Sequence, residues 1–448
     1  MQIKSYGKRL DETQALDIRD YGLLRSVNSI RMRVHSSMNF LKCRFGATIL
    51  WFFLANACVA AILGGTGANA LSSQFKQQGN LLDPNYGTWT WWTIKAYFDQ
   101  PRAPDVLLLG SSQVNSAVWA SDAYVLQQPV DCIVHRRVLT MESKLKDQLG
   151  TEGNLTVLNC AAQGAMASDY YMIARALFTA DRRPNIVIVG ISPRDFIDNK
   201  LAAASATEPF RFLSQYVDTG ELTAIAFPDL IARLNAQSEW ALGKLGLRRL
   251  HAAAEAWEAD RTAVSKHRTE NQLVNAISNS ALKVKPGDWV VPPNLPNLFI
   301  DNTAEYASRY KNSNPPSYKI QLAFFGEFLE QLKRKNIKAV VVGMPTLPMN
   351  RQLLPNEFWD SYRGKIASIC KQHNAPWIDM SQSCDYQRSD FVDTVHLNAR
   401  GGIKLIDCFV HLIAGNTELA RSLNSIGTTT AQTSDRHSSV AARAQTLY

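Results

Sequence analysis

The chain has 448 residues, of which 46% are hydrophobic and 19% charged, and its formal net charge is +9. That composition excludes a disordered or low-complexity chain and leaves room for one large domain with insertions, or for two domains. The charge is concentrated: residues 1–44 hold nine Lys/Arg against four acids, and an apolar run follows at once, which points to a membrane partner and not to nucleic acid.

That run, FGATILWFFLANACVAAILGG, spans 45–65, and no charged residue occurs between Arg44 and Lys76. About 20 apolar residues cross a bilayer core, so a single-pass transmembrane anchor is predicted over 45–66. Arg31, Arg33, Lys42 and Arg44 lie on its N-terminal side, which places residues 1–44 in the cytoplasm and the rest of the chain outside. A cleaved signal peptide competes, because the ANA at 68–70 resembles a cleavage site, and so does a buried core helix. The long basic lead-in and the length of the apolar run favour the anchor.

Residues 67–104 read as a linker and an aromatic-rich lead-in, YGTWTWWTIKAYF, that packs on the domain. Five short apolar runs follow: Asp105–Leu109, Leu155–Leu158, Ile186–Val189, Ile337–Val342 and Pro376–Ile378. Three to six residues rich in Val, Ile and Leu suit parallel strands buried on both faces. Between them lie helical stretches: RRVLTMESKLKDQLG, then SDYYMIARALFTADRR with Ser168 as its cap, then KIQLAFFGEFLEQLKRKN. The expected fold is α/β, a flavodoxin-like parallel sheet of about five strands with helices on both faces. The domain is assigned to 105–415. A helical insertion over about 197–318 forms a cap beside the sheet, and 416–448 is a Ser/Thr/Ala-rich disordered tail. Seven cysteines show no metal-ligand spacing. Five would lie outside the membrane, their pairing open, with Cys370–Cys384 one possibility.

Ligands of open parallel sheets bind at the carboxyl ends of the strands. Four groups fall there: Gly110-Ser111-Ser112 after the first strand, Asn159 and Gly164 after the second, Gly190-Ile191-Ser192-Pro193 after the third, and Asp393-Thr394-Val395-His396 after the fifth. Each alone is a common turn or cap. Together they can supply a serine nucleophile, a base, an orienting carboxylate and backbone donors. His396 is the one histidine at a strand-end loop with a carboxylate three residues before it. His35 and His437 lie in the two tails, His251 and His267 in the insertion, and His135 beside a basic pair. His373 sits at the wrong end of the sheet and His411 in an apolar helix. Asp169 and Asp195 are nearer caps or surface acids than substrate contacts.

In LLLGSSQV, LNCAAQG, VIVGISPRDF and DTVHLNARG the chain resembles the SGNH (GDSL-type) hydrolase superfamily over roughly 105–200 and 319–415. Within it, the resemblance is to the membrane-anchored branch that includes D-alanyl transfer proteins of teichoic acid and alginate O-acetylation proteins. The resemblance implies Ser112 as nucleophile, His396 as base and Asp393 as its partner. It implies Gly164, through its N–H, and Ser192 at the oxyanion, with Asn159 in the same substrate-binding group. Ser111 stands where many members have Asp, and Ser192 where most have Asn. The implied activity is extracytoplasmic O-acylation or ester hydrolysis on a cell-envelope polysaccharide, served by a membrane-bound acyl donor protein, with no cofactor and no metal. The alternative is an envelope protein that keeps the fold only to bind a glycan or an assembly partner.

Overall fold

A computed structural model describes residues 86–423 apart from 152, 202, 215, 218–221, 223–282, 295–298, 312–314 and 384. The chain divides into Met1–Gly64 and Gly65–Tyr448, and every described residue belongs to the second unit. The predicted basic segment, the anchor over 45–66, most of the linker, the helix-like stretch of the insertion and residues 424–448 of the tail lie outside the described residues, whereas 417–423, assigned to that disordered tail, is helical with Leu419 and Leu423 buried in the core. Among the described residues no helix is long and apolar enough to cross a membrane.

In chain order the elements that position the site are α1 (Trp89–Asp99), β1 (Val106–Leu109), α2 (Ser112–Leu126), β2 (Val130–Asp131), α3 (Leu139–Leu149), β3 (Val157–Asn159), α4 (Ala167–Leu177), β4 (Ile186–Ile191), α5 (Arg194–Ile197) and α6 (Glu208–Leu213). They continue with β5 (Val290–Val291), α7 (Thr303–Tyr310), α8 (Pro315–Arg334), β6 (Lys338–Gly343), α9 (Asn356–Gln372), β7 (Trp377–Asp379) and α10 (Ala399–Gly415). Five strands form one parallel sheet in the order β3-β1-β4-β6-β7, so the α/β expectation holds and all five predicted strands lie in it.

Alternation along the strands divides the core. Leu107, Leu109, Val187 and Val189 face one layer, with Phe324, Phe325 and Phe328 of α8 and Tyr170 of α4. Val106, Leu108, Ile186 and Ile188 face the other, with Val114 of α2, Leu145 of α3 and Leu405, Phe409 and Ile413 of α10. Side chains two apart point the same way, so strands this apolar need cover on both sides. The two helices that bracket the site pack closely. A Cβ on Gly402 of α10 would stand 2.2 Å from the Ala117 carbonyl of α2 and 2.4 Å from Ser121 Oγ, so only glycine lets the backbones approach this far.

Several details depart from the sequence reading. The aromatic lead-in does pack on the domain, but as the helix α1, with Trp91, Ile94 and Tyr97 buried. Part of the insertion returns as β5 and pairs antiparallel with β2, Val130 opposite Val291. Ser168 does not cap α4. It lies inside the first turn, its N–H donates to Gln321 Oε1, and Asp169 Oδ2 accepts the Met166 N–H at the helix start instead. Cys132, Cys160 and Cys370 are free thiols, and Cys384, the other half of the Cys370–Cys384 possibility, lies outside the described residues.

Candidate active site

β1 stops at Leu109, and Ser112 opens α2 two residues later. The first N–H groups of a helix have no acceptor within it. Here Val114 and Asn115 both donate to the Ser111 carbonyl, at 3.2 and 3.3 Å, while the Ser112 N–H meets no protein acceptor among the described residues. Ser112 therefore pairs a side-chain hydroxyl with a free N–H at the positive end of a helix.

His396 comes from the far edge of the sheet. After β7 the chain turns back through a tight loop closed by the Phe391–Leu397 bridge and the bond from Val392 N–H to the His396 carbonyl, 2.9 Å. Thr394, fully buried, clamps that loop. Its N–H donates to Asn302 Oδ1 at 3.1 Å, its Oγ1 accepts from Asn350 Nδ2 at 3.0 Å, and its carbonyl accepts from Leu347 N–H at 3.0 Å. Asp393 Oδ1 accepts from the N–H groups of Val395 and His396, each at 2.8 Å, which leaves Oδ2 for His396 Nδ1 at 2.6 Å. On the other side of the ring, Nε2 stands 2.8 Å from Ser112 Oγ, although the two residues are 284 positions apart in sequence.

Burial raises Asp393, but the hydrogen bond and charge of His396 and the two backbone donors outweigh it and hold the carboxyl below its usual range. An ionised carboxylate only accepts hydrogen bonds, so Nδ1 carries a proton, Nε2 is the acceptor and the Ser112 hydroxyl donates to it. An imidazole placed this way can take the proton as the oxygen attacks an electrophilic carbon.

Ser112 and His396 line a cavity of about 480 Å³. Trp119, Ala120, Trp289 and Val291 supply an apolar wall; Gln163, Arg194, Asn302, Glu305 and Arg309 supply a polar one. Gly164 also lines it, in a turn closed by the Ala165 N–H to the Ala162 carbonyl, with φ +70, a left-handed conformation that favours glycine. The sequence reading thus has four of its six site residues together at one end of the sheet.

Ser112, Gly164 and His396 line the cavity and Asp393 backs His396; Asn159 and Ser192 do not reach the wall. Asn159 is fully buried beneath it: Nδ2 donates to Asn115 Oδ1 at 2.9 Å, Oδ1 accepts from Ala161 N–H at 3.0 Å, and Asn115 Nδ2 donates to the Ala161 carbonyl at 3.3 Å. Its polar groups are spent tying α2 to the loop after β3. Ser192 is 2% exposed; its N–H donates to Asp195 Oδ2 at 2.9 Å and its buried Oγ has no partner among the described residues. Asp169 and Asp195 are buried too, not surface acids, and burial pushes them up to about 7 and about 6.

The sequence reading missed Arg194, Asn302 and Arg309. Arg194 was within sight in the ISPRDF stretch, at a strand end; Asn302 and Arg309 sit in an insertion whose path has no sequence pattern. Asp198, almost fully buried, joins the two arginines, accepting from Arg194 Nε at 3.0 Å and Arg309 Nη1 at 2.6 Å. A second histidine–carboxylate pair, His135 Nε2 to Asp122 Oδ2 at 2.7 Å, also receives the N–H groups of Leu139 and Thr140 and starts α3; it has no serine.

The chain matches the family described as Protein of unknown function (DUF1574) over residues 265–412, about a third of its length. The matched stretch carries α7 to β7, Asp393 and His396, and begins well after Ser112. No curated protein matches the chain.

Proposed function

We propose that this protein is a serine-dependent acyltransferase or esterase of the SGNH type, anchored in the membrane by residues 45–66 and acting outside the cytoplasm on a cell-envelope polysaccharide. The observation that carries the reading is the chain of contacts from Ser112 Oγ to His396 to Asp393, at 2.8 and 2.6 Å. Support comes also from the strand order, which counted along the sheet is 2-1-3-4-5, that of flavodoxin-like sheets. Ser112 follows β1 and Arg194 follows β4, so the cavity sits at the switch point where such sheets bind ligands.

In this reading Ser112 Oγ attacks the acyl carbonyl while its proton passes to His396 Nε2. The carbonyl electron pair moves onto oxygen, where the N–H groups of Ser112 and Gly164 receive it. Asp393 stabilises the imidazolium and keeps Nδ1 protonated. Collapse expels the leaving group with the proton from His396 and leaves an ester on Ser112. A sugar hydroxyl, or water, then gives its proton to His396, attacks that ester and frees Ser112. The Trp119–Trp289 wall shields the ester from water, which favours transfer. A membrane-bound protein that hands over activated acyl groups is the partner this route requires.

The test is to give the full-length chain in detergent a p-nitrophenyl ester together with cell-wall oligosaccharides. The expected result is a burst of nitrophenolate equal to the enzyme, then acyl oligosaccharide, both absent in His396→Ala. Oligosaccharide binding without any nitrophenolate release would refute catalysis and leave a glycan-binding module.

A further inference from the structure

We propose that Arg194 supplies the side-chain donor of the oxyanion site, the place that sequence pattern gives to Ser192; this rests on the acyl-transfer reading above. Arg194 opens α5 at the end of β4 and is 8% exposed, yet it lines the cavity with Ser112 and Gly164. Its guanidinium is fixed on two sides. Nε donates to Asp198 Oδ2 at 3.0 Å, and Nη1 donates to the Ala165 carbonyl at 2.7 Å and lies 3.6 Å from Asp195 Oδ1. The bond to Ala165 ties it to the turn that carries Gly164.

Nη2 is left over. Among the described residues it has no hydrogen-bond partner, and it lies 3.6 Å from the position a Cβ on Gly164 would take. A planar guanidinium held through two of its nitrogens has the third aimed in a fixed direction. Here that direction is the Gly164 side of the cavity, where the Gly164 N–H is also available. Arg309, the other arginine on the wall, has all three nitrogens engaged: Nε and Nη2 bond Glu305 Oε1 and Nη1 bonds Asp198. Ser192 Oγ is buried and off the wall. Asp198 and Asp195 balance the Arg194 charge at rest, and when Ser112 Oγ bonds to the acyl carbon the new oxyanion accepts a charge-assisted bond from Nη2.

The experiment measures the second-order rate of labelling of the full-length protein by an uncharged alkyl fluorophosphonate. In that reaction the Oγ–P bond forms, fluoride leaves and the phosphoryl oxygen occupies the oxyanion site. Arg194→Lys keeps a cation for Asp198 but cannot reach Asp198 and the cavity together. It is expected to label about 10²- to 10³-fold more slowly than wild type, with the melting curve unchanged. A rate within about threefold of wild type, or a loss found in Ser192→Ala instead, overturns the assignment and leaves the Ser112 reading standing. Absence of labelling in wild type overturns both. The crystal structure of phosphonylated wild type decides the matter even where the lysine variant does not fold. The phosphoryl oxygen is expected within about 3.1 Å of Nη2; an oxygen turned to Ser192 overturns the assignment.

Discussion

Asp393→Asn isolates the orienting role of the carboxylate from its shape. In the native loop Asp393 Oδ1 takes two backbone N–H groups at 2.8 Å and Oδ2 faces His396 Nδ1 at 2.6 Å. An asparagine keeps the backbone pair by placing its oxygen there, which turns its NH₂ toward Nδ1. An amide NH₂ only donates, so Nδ1 becomes an acceptor and the ring proton moves to Nε2. Nε2 then faces Ser112 Oγ as a donor and cannot take its proton. In a triad the corresponding change costs about 10⁴-fold in rate, equal to about 5.5 kcal/mol of barrier. Because both backbone bonds survive, the melting temperature changes little. The assay is the fluorophosphonate labelling rate of the full-length chain beside its thermal melt. A variant that melts like wild type and labels within tenfold of it refutes the tautomer argument.

Gly402→Ala drives a Cβ to 2.2 Å from the Ala117 carbonyl, so α10 must shift from α2; overpacking of this kind costs about 1–3 kcal/mol, and both melting temperature and labelling fall, whereas an unchanged melt would show that the helices adjust freely. Arg136 is fully buried between Trp89 and Trp119, 5.8 and 5.7 Å from the ring centres, with no hydrogen bond from Nη1 or Nη2 among the described residues, and burial pushes it down to about 10. Arg136→Met removes an unpaired buried charge and is expected to raise the melting temperature; a fall beyond about 5 °C would mean the cation–ring contacts dominate. Asp169 and Asp195 hold their protons up to about pH 7 and pH 6 when folded, against about 3.9 in the unfolded chain. The folded state therefore binds more protons between about pH 4 and 7, and stability falls as pH rises through that window, then levels. Asp169→Asn flattens the slope of melting temperature against pH; an equal slope in both proteins would refute the assignment.

The sheet was legible because a strand buried on both faces needs a dense apolar run, and Val106–Leu109, Ile186–Ile191 and Lys338–Gly343 have little else. Asp393 and His396 were legible because they stand three positions apart, a spacing that one tight loop turns into a contact. Ser112 was legible only through its place at a strand end, since nothing local tells it from a capping serine. The structure adds what depends on distant chain. Val130 and Val291 pair across more than a hundred residues, and Asn302 clamps Thr394 from the insertion. Ser192 lies off the cavity wall because a strand-end position fixes the backbone, not which neighbouring side chain turns outward: Asp195 takes the Ser192 N–H, and Arg194 is the side chain on the wall.

Covalent labelling shows whether His396 activates Ser112. The full-length protein in detergent is treated with a fluorophosphonate and the modified peptide is identified by mass, beside Ser112→Ala and His396→Ala. One adduct is expected on Ser112, none in Ser112→Ala, and a rate at least about 10³-fold lower in His396→Ala. An unlabelled but folded wild-type protein, or an adduct on another residue, would contradict that activation.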